Sequence, residues 1–161
     1  MDVELRRAEA AEASALGDIG FAAWAASEFS RADAGRVDRH RLLAEFRAFG
    51  VTHAARTIVA VRGDELLGWG AREYGDDLVS DLWVAPSQQG TGIGGQILTT
   101  LVAEIAAAGH PAARLETLAS NLGAISFYEK HGFVVSWRAE KFSSTLGYAI
   151  DKVGMNKSLT V

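Results

Sequence analysis

Cysteine is absent from the 161 residues. Disulfide frameworks, thiolate metal sites and cysteine nucleophiles are therefore excluded, and the chain suits a reducing compartment. Proline is scarce, with Pro86 and Pro111 the two occurrences. With no Ser/Pro/Gly-rich tract and no internal repeat, nothing marks a linker or an array, so one domain over residues 1–161 is expected. No apolar run reaches the length of a membrane span. Met1-Asp2-Val3-Glu4-Leu5-Arg6-Arg7 leads into a polar-punctuated, Ala-rich stretch and lacks the continuous apolar core of a signal peptide. Positive charge is not in excess: 16 Lys and Arg against 20 Asp and Glu leave a net charge of −4. That argues against nucleic acid as a partner, though not against an anionic ligand held by local backbone dipoles. The expectation is a soluble cytoplasmic protein without nucleic-acid or membrane partners.

What is present is an ordinary globular composition, 48% hydrophobic and 22% charged, enough apolar material to offset chain entropy. Val3–Arg7 alternates as a strand. Ala8–Phe29 reads as a helix with Leu16, Ile19, Ala23 and Ala26 at helical spacing. After a loop over 30–35 comes a second helix carrying Val37, Leu42, Leu43, Phe46 and Phe49, with Gly50 as its natural stop. Thr57–Val61 and Leu66–Tyr74 read as an antiparallel pair about the turn Arg62-Gly63-Asp64-Glu65. Gly75-Asp76-Asp77 is a second turn. Leu78–Ala85 is one strand, with Ser80, Leu82 and Val84 on one side and Asp81 and Trp83 on the other, ended by Pro86. A helix carrying Ile97, Leu98, Leu101, Val102 and Ile105 follows, and Gly109-His110-Pro111 breaks it. The rest is a strand over Ala113–Leu118, a short helix opened by Ser120-Asn121 and closed by Gly132, and strands over Phe133–Trp137 and Ala149–Leu159. The order βααβββαβαββ predicts an α/β (α+β) domain: a central mixed, mostly antiparallel sheet of about six or seven strands with about four helices.

Between the strand ending at Ala85 and the following helix lies Gln89-Gly90-Thr91-Gly92-Ile93-Gly94-Gly95, with four glycines in the six positions 90–95. A strand, a Gly-rich loop and a helix start bring free N–H groups and the helix dipole to one spot, an arrangement for phosphate. Tight helix–sheet packing is the plainer reading of any one of these glycines. No Gly-Lys-Ser/Thr follows, so a Walker loop is excluded. Gly90, Gly92 and Gly95 match a dinucleotide fingerprint literally, with Glu116 about 20 residues on. However, Pro86-Ser87-Gln88-Gln89 intervenes after the strand, and too little chain remains for a Rossmann sheet.

Gln89-x-x-Gly92-x-Gly94 resembles the Q/R-x-x-G-x-G/A loop of the GNAT superfamily of N-acetyltransferases. Leu82-Trp83-Val84-Ala85-Pro86 resembles that family's cofactor strand. Asn121-x-x-Ala124-x-x-Phe127-Tyr128-Glu129-Lys130-x-Gly132-Phe133 resembles its second signature, and Gly154–Leu159 a common family ending. The resemblance covers nearly the whole element order. It implies acetyl-CoA as co-substrate. It implies pyrophosphate on the amides of Gln89, Gly90, Thr91, Gly92, Gly94 and Gly95, and the pantetheine arm along Leu82, Trp83 and Val84. Asn121 and Ala124 would stand beside the cofactor, Asn121 also as a helix cap. Tyr128 falls on the family's tyrosine and would protonate the leaving thiolate, for which a phenol is competent at neutral pH; an aromatic with its hydroxyl tied to backbone is the plainer role.

The acceptor amine must lose a proton before it attacks. Asp81 is the candidate base because it shares a face with Trp83, and Glu73 is the second carboxylate. Trp24 and Trp83 are candidates for an aromatic wall at the acceptor pocket, with Glu28, Phe29 and Asp33 beside it. The four histidines sit in different elements without metal-ligand spacing. The segment 141–151 is similar to that of phosphinothricin-type acetyltransferases but departs from their pattern, so no substrate is carried over. The implied function is direct acetyl transfer to a primary amine, of a small molecule in the first instance. A protein N-terminus or lysine acceptor, and a non-catalytic acyl-CoA-binding module, are the alternatives. Pairing through the C-terminal strands, common in the family, adds a homodimer as an expected assembly.

Overall fold

A computed structural model of the chain describes residues 2–27, 30, 36–74, 76–144 and 146–159. Glu28, Phe29 and Asp33 of the expected acceptor wall lie outside these. The elements run β1 (Glu4–Arg7), α1 (Ala13–Ala25), α2 (Arg39–His53), β2 (Thr57–Arg62), β3 (Glu65–Ala71), β4 (Leu78–Val79), β5 (Asp81–Val84), α3 (Ile93–Ala107), β6 (Ala112–Leu118), α4 (Leu122–Lys130), β7 (Val134–Ser143) and β8 (Tyr148–Ser158). The expected order holds, with one strand divided. Leu78–Ala85 is not a single strand but two short ones, and the sheet is not continuous. Strands β1-β2-β3-β5 form one four-stranded sheet and β4-β6-β8-β7 another. Among the described residues the β4–β6 pairing is parallel and every other pairing antiparallel.

The division falls on Ser80. Its amide donates to Ala71 O (2.9 Å), while Asp81 is also the register partner of Ala71. Two residues thus oppose one, which is a bulge. Strict alternation, which puts Ser80 with Leu82 and Val84, breaks at this position. Upstream of it Leu78 and Val79 pair with Arg114 and Leu115 of β6. Downstream, Asp81–Val84 pair with β3 alone. The strand changes sheets at the bulge, and β5 and β6 splay apart.

Each face of the first sheet carries its own helices. Val59, Trp69 and Ala71 pack with Leu16 of α1 and with Phe46 and Phe49 of α2. Trp69 Nε1 donates to Leu16 O (2.8 Å), so the largest buried ring also closes its polar end. On the other face Ile58, Ala60, Leu82 and Val84 meet Ile93, Ile97, Leu98, Leu101 and Ile105 of α3. That core runs on into the second sheet through Ala113, Leu115, Val153 and Met155, so α3 spans the splay.

Helix α2 runs through Gly50 to His53, contrary to the expected stop. Gly50 serves contact instead: a Cβ there would lie 2.8 Å from Ala13 Cα. Gly109 and Gly132 do end helices, at φ +90° and +91°. Strand β3 ends at Ala71, so Glu73 lies past the strand rather than on it. Strand β7 reaches Ser143, beyond the Trp137 expected.

Candidate active site

The splay opens a cleft of about 960 Å³. Its first wall is the free edge of β5. Ala85 N donates to Leu67 O (2.9 Å), and Trp83 and Asp81 are register partners of Trp69 and Ala71. Backbone groups alternate sides along an antiparallel strand. Those of Ala85, Trp83 and Asp81 therefore face β3, and those of Leu82 and Val84 face the cleft. The Gln89 side-chain amide donates to Val84 O (3.2 Å), in keeping with a carbonyl turned away from the sheet.

The phosphate end is built by α3. Gly92 is its N-cap at φ +88°, a conformation that any Cβ would strain. The first helical bond runs from Gln96 N to Gly92 O (3.1 Å). The amides of Ile93, Gly94 and Gly95 therefore have no acceptor within the helix and carry its positive dipole end. A Cβ on Gly90 or Gly92 would meet nothing within 4 Å, so the loop is open to an approaching group. A Cβ on Gly94 would lie 3.5 Å from both Phe127 and Val84, so the loop runs close to α4 and β5. Thr91 is exposed and donates its hydroxyl to Gln88 O, and its side chain does not line the cleft.

The opposite wall is α4. Asn121 caps it, accepting from Ala124 N (3.1 Å), and both residues line the cleft. Tyr128 lines it one helical turn further on. Phe127 and Phe133 press edge-on against its ring. Among the described residues its hydroxyl has no hydrogen-bond partner, unlike the tied hydroxyl of the plainer reading. Burial, with the negative charge of Asp81 second, pushes this phenol up to about 12. It therefore keeps its proton throughout the physiological range.

Asp81 is not a wall of the cleft. Its carboxylate stands behind Trp83, which is a wall: Trp83 Nε1 donates to Oδ1 (3.2 Å) and Ser80 Oγ to Oδ2 (2.9 Å). Burial raises its pKa above the usual carboxylate range. The two hydrogen bonds oppose that shift and the charge of Glu73 adds to it. Glu73 faces His53 Nε2 at 3.5 Å. Trp24 and Trp83 do not form a joint wall: Trp24 lies against Phe21 (5.8 Å) and under Arg39, while Trp83 meets Phe46 edge-on (5.2 Å). The end of α1 supplies Ala23, Ala26 and Ser27 there instead. The Arg36 guanidinium, ahead of α2, stacks 3.8 Å over the ring of Tyr148 at the start of β8.

A sequence model of the acetyltransferase (GNAT) domain matches residues 53–135. The chain belongs to the GNAT acetyltransferase family. No curated protein sequence matches it, but solved structures do. A GCN5-related N-acetyltransferase from Rhodopseudomonas palustris is 19% identical at a TM-score of 0.79, over 99% of this chain and 97% of that one. The PaiA N-acetyltransferase of Thermoplasma acidophilum, in complex with coenzyme A, is 17% identical at 0.72, over 98% and 99%. YncA of Salmonella typhimurium, a putative acetyltransferase with its cofactor acetyl-CoA, is 19% identical at 0.68, over 100% and 96%. At these identities the likeness is one of fold. The GNAT model itself spans β2 through the start of β7, and so includes every cleft-lining residue named above except Ala23, Ala26 and Ser27.

Of the residues singled out in the sequence, the structure brings the loop, the β5 edge and Tyr128 together around one cleft. The sequence pattern did not single out as site residues Ser80, bonded to Asp81, or Ala23, Ala26 and Ser27 of the cleft lining. Ser80 is hidden because a bulge has no periodic signature. The α1 residues are small and read as ordinary helix filler.

Proposed function

We propose that this GNAT protein moves an acetyl group directly from acetyl-CoA to the primary amine of a small molecule. The observation that carries the reading is the free edge of β5. It runs from the open helix start of α3 at one end to Tyr128 and the Asp81 network at the other. The residues fit the co-substrate: three amides without an acceptor in the helix and open glycines suit a pyrophosphate, and the cleft-facing backbone of Leu82 and Val84 suits an amide-bearing arm. Bound acetyl-CoA supplies the thioester carbon that the amine attacks.

The chain's own residues handle the protons. Asp81, set behind Trp83, takes one from the ammonium through water, leaving a neutral nitrogen to form the C–N bond. As the C–S bond breaks, the Tyr128 hydroxyl offers its proton to the sulfur. The apolar surroundings that raise the phenol also disfavour a thiolate beside it, so the shift alone does not oppose this transfer. Proton return from Asp81 to the Tyr128 oxygen through solvent resets both groups, and the acylated nitrogen gives up its second proton to bulk water as the neutral amide forms.

Calorimetric titration of acetyl-CoA into wild type and Gly92→Trp, followed by thiol release across an amine panel, tests the reading. Wild type is expected to bind and turn over, Gly92→Trp to bind at least about tenfold more weakly, and Tyr128→Phe to bind normally but lose about 10²- to 10⁴-fold in kcat. Binding without turnover on any amine would make the protein an acyl-CoA-binding module. Turnover on peptide amines alone would overturn the small-molecule acceptor.

A further inference from the structure

We propose that Ser80 is a positioning residue whose hydroxyl keeps Asp81 hydrogen-bonded both before and after Asp81 takes up the acceptor's proton. The inference rests on Asp81 acting as the base.

The Ser80 hydroxyl has three neighbours. Glu73 N donates to it (2.8 Å), Asp81 Oδ2 lies at 2.9 Å, and Ala71 O lies at 3.2 Å. A hydroxyl has one proton and two acceptor positions. The Glu73 amide occupies one acceptor position permanently. With Asp81 ionised, the hydroxyl proton points to Oδ2. With Asp81 protonated, the hydroxyl turns its proton to Ala71 O and accepts the carboxyl O–H in its second position. Neither state leaves a buried polar group unpaired, which would otherwise cost stability. Oδ1 faces the indole N–H of Trp83, which can only donate. A proton on Asp81 therefore finds a partner through Oδ2 and Ser80.

The bulge makes this geometry. A regular strand would put residues 80 and 81 on opposite faces. With both set against Ala71, the hydroxyl and the carboxylate converge. Among the described residues, the charged and titratable groups around Asp81 are Glu73 and Tyr74 after β3, His53 at the end of α2 and Tyr128 on α4. Of these, Glu73 makes its contact with the network through its backbone amide, leaving its side chain with His53.

The test is the pH profile of kcat/KM with a reactive amine, for wild type, Ser80→Ala, Ser80→Thr and Asp81→Asn. Without the hydroxyl the carboxylate loses a donor, so its acid form persists to higher pH. Ser80→Ala is expected to lose about tenfold near neutral pH and to come within about threefold of wild type on the alkaline plateau, a split set by one charge-assisted hydrogen bond. Ser80→Thr, which retains the hydroxyl, is expected to keep the wild-type acid limb. A Ser80→Ala profile that superimposes on wild type, or that falls equally at every pH, overturns the role of Ser80. If Ser80→Ala does not fold, Ser80→Cys, with its weak donor, is read in the same way. Asp81→Asn separates the two levels: loss of the acid limb in that variant with no change in Ser80→Ala sinks only the Ser80 proposal. A wild-type profile in Asp81→Asn sinks the base itself.

Discussion

Asp81 sits where its charge is costly. Burial raises its pKa, so the native state holds a proton there at pH values where the unfolded chain has already lost it. The sign of the linkage follows. Ionising Asp81 weakens the fold, and its contribution to stability rises as pH falls through the native pKa toward the unfolded value. Asp81→Asn keeps an oxygen acceptor and a similar shape but never ionises. It is expected to melt above wild type where Asp81 is ionised in the native state, with the gap narrowing as the pH is lowered through the raised native pKa. A variant that melts lower than wild type at every pH would mean that the hydrogen bonds from Trp83 and Ser80 outweigh burial. Tyr128 offers the contrast: its hydroxyl has no partner among the described residues, so Tyr128→Phe should change activity without lowering the melting temperature. The identity of Tyr128 was legible because it stands at a fixed place after Asn121 and Phe127. The Asp81 environment was not, because it depends on Trp83 and Ser80 converging across a bulge.

Elements whose apolar spacing repeats were readable: α3, β2 and β6 lie where the periodicity puts them, within a few residues, and α1 lies inside the longer span expected of it. Failures came where one contact overrides a local signal. Gly50 looks like a helix stop, yet α2 continues because the glycine lets Ala13 approach its backbone. The same close packing joins α1 and α2 at Gly17, where a Cβ would lie 2.5 Å from both the N and Cα of Arg47. Backbone cannot swing aside as a side chain can. Gly17→Ala is therefore expected to destabilise the protein by about 1–3 kcal/mol through overpacking, read from urea denaturation with an unchanged m-value. Gly123 in α4 is the paired control. A Cβ there meets only Asn121 Oδ1, at 3.9 Å, so Gly123→Ala should gain about 0.5–1 kcal/mol from helix propensity. Destabilisation of similar size in both variants would point to a general intolerance of added volume rather than to the α1–α2 contact.

At the scale of the molecule, two half-sheets share one helix, α3, and separate at one residue, Ser80. The cleft is a consequence of that topology. β4 stays with β6, β5 stays with β3, and the facing edges are left without each other. Composition and periodicity could place the strands but not the gap, since pairing between distant strands leaves no mark on local sequence. The gap predicts an alternation that amide hydrogen exchange can read within β5 and the residue after it. The amides of Trp83 and Ala85 face β3 and should exchange slowly with or without ligand. Those of Leu82 and Val84 face the cleft and should exchange fast in the free protein. Saturating acetyl-CoA should slow Leu82 and Val84 selectively if the pantetheine arm takes the place of a neighbouring strand, while the amides of β1–β3 should change little. Uniform protection of all four amides in the free protein would mean that β5 is paired on both edges in solution. Slowing at Ile93, Gly94 and Gly95 without any change at Leu82 and Val84 would place the pyrophosphate on α3 but the arm elsewhere.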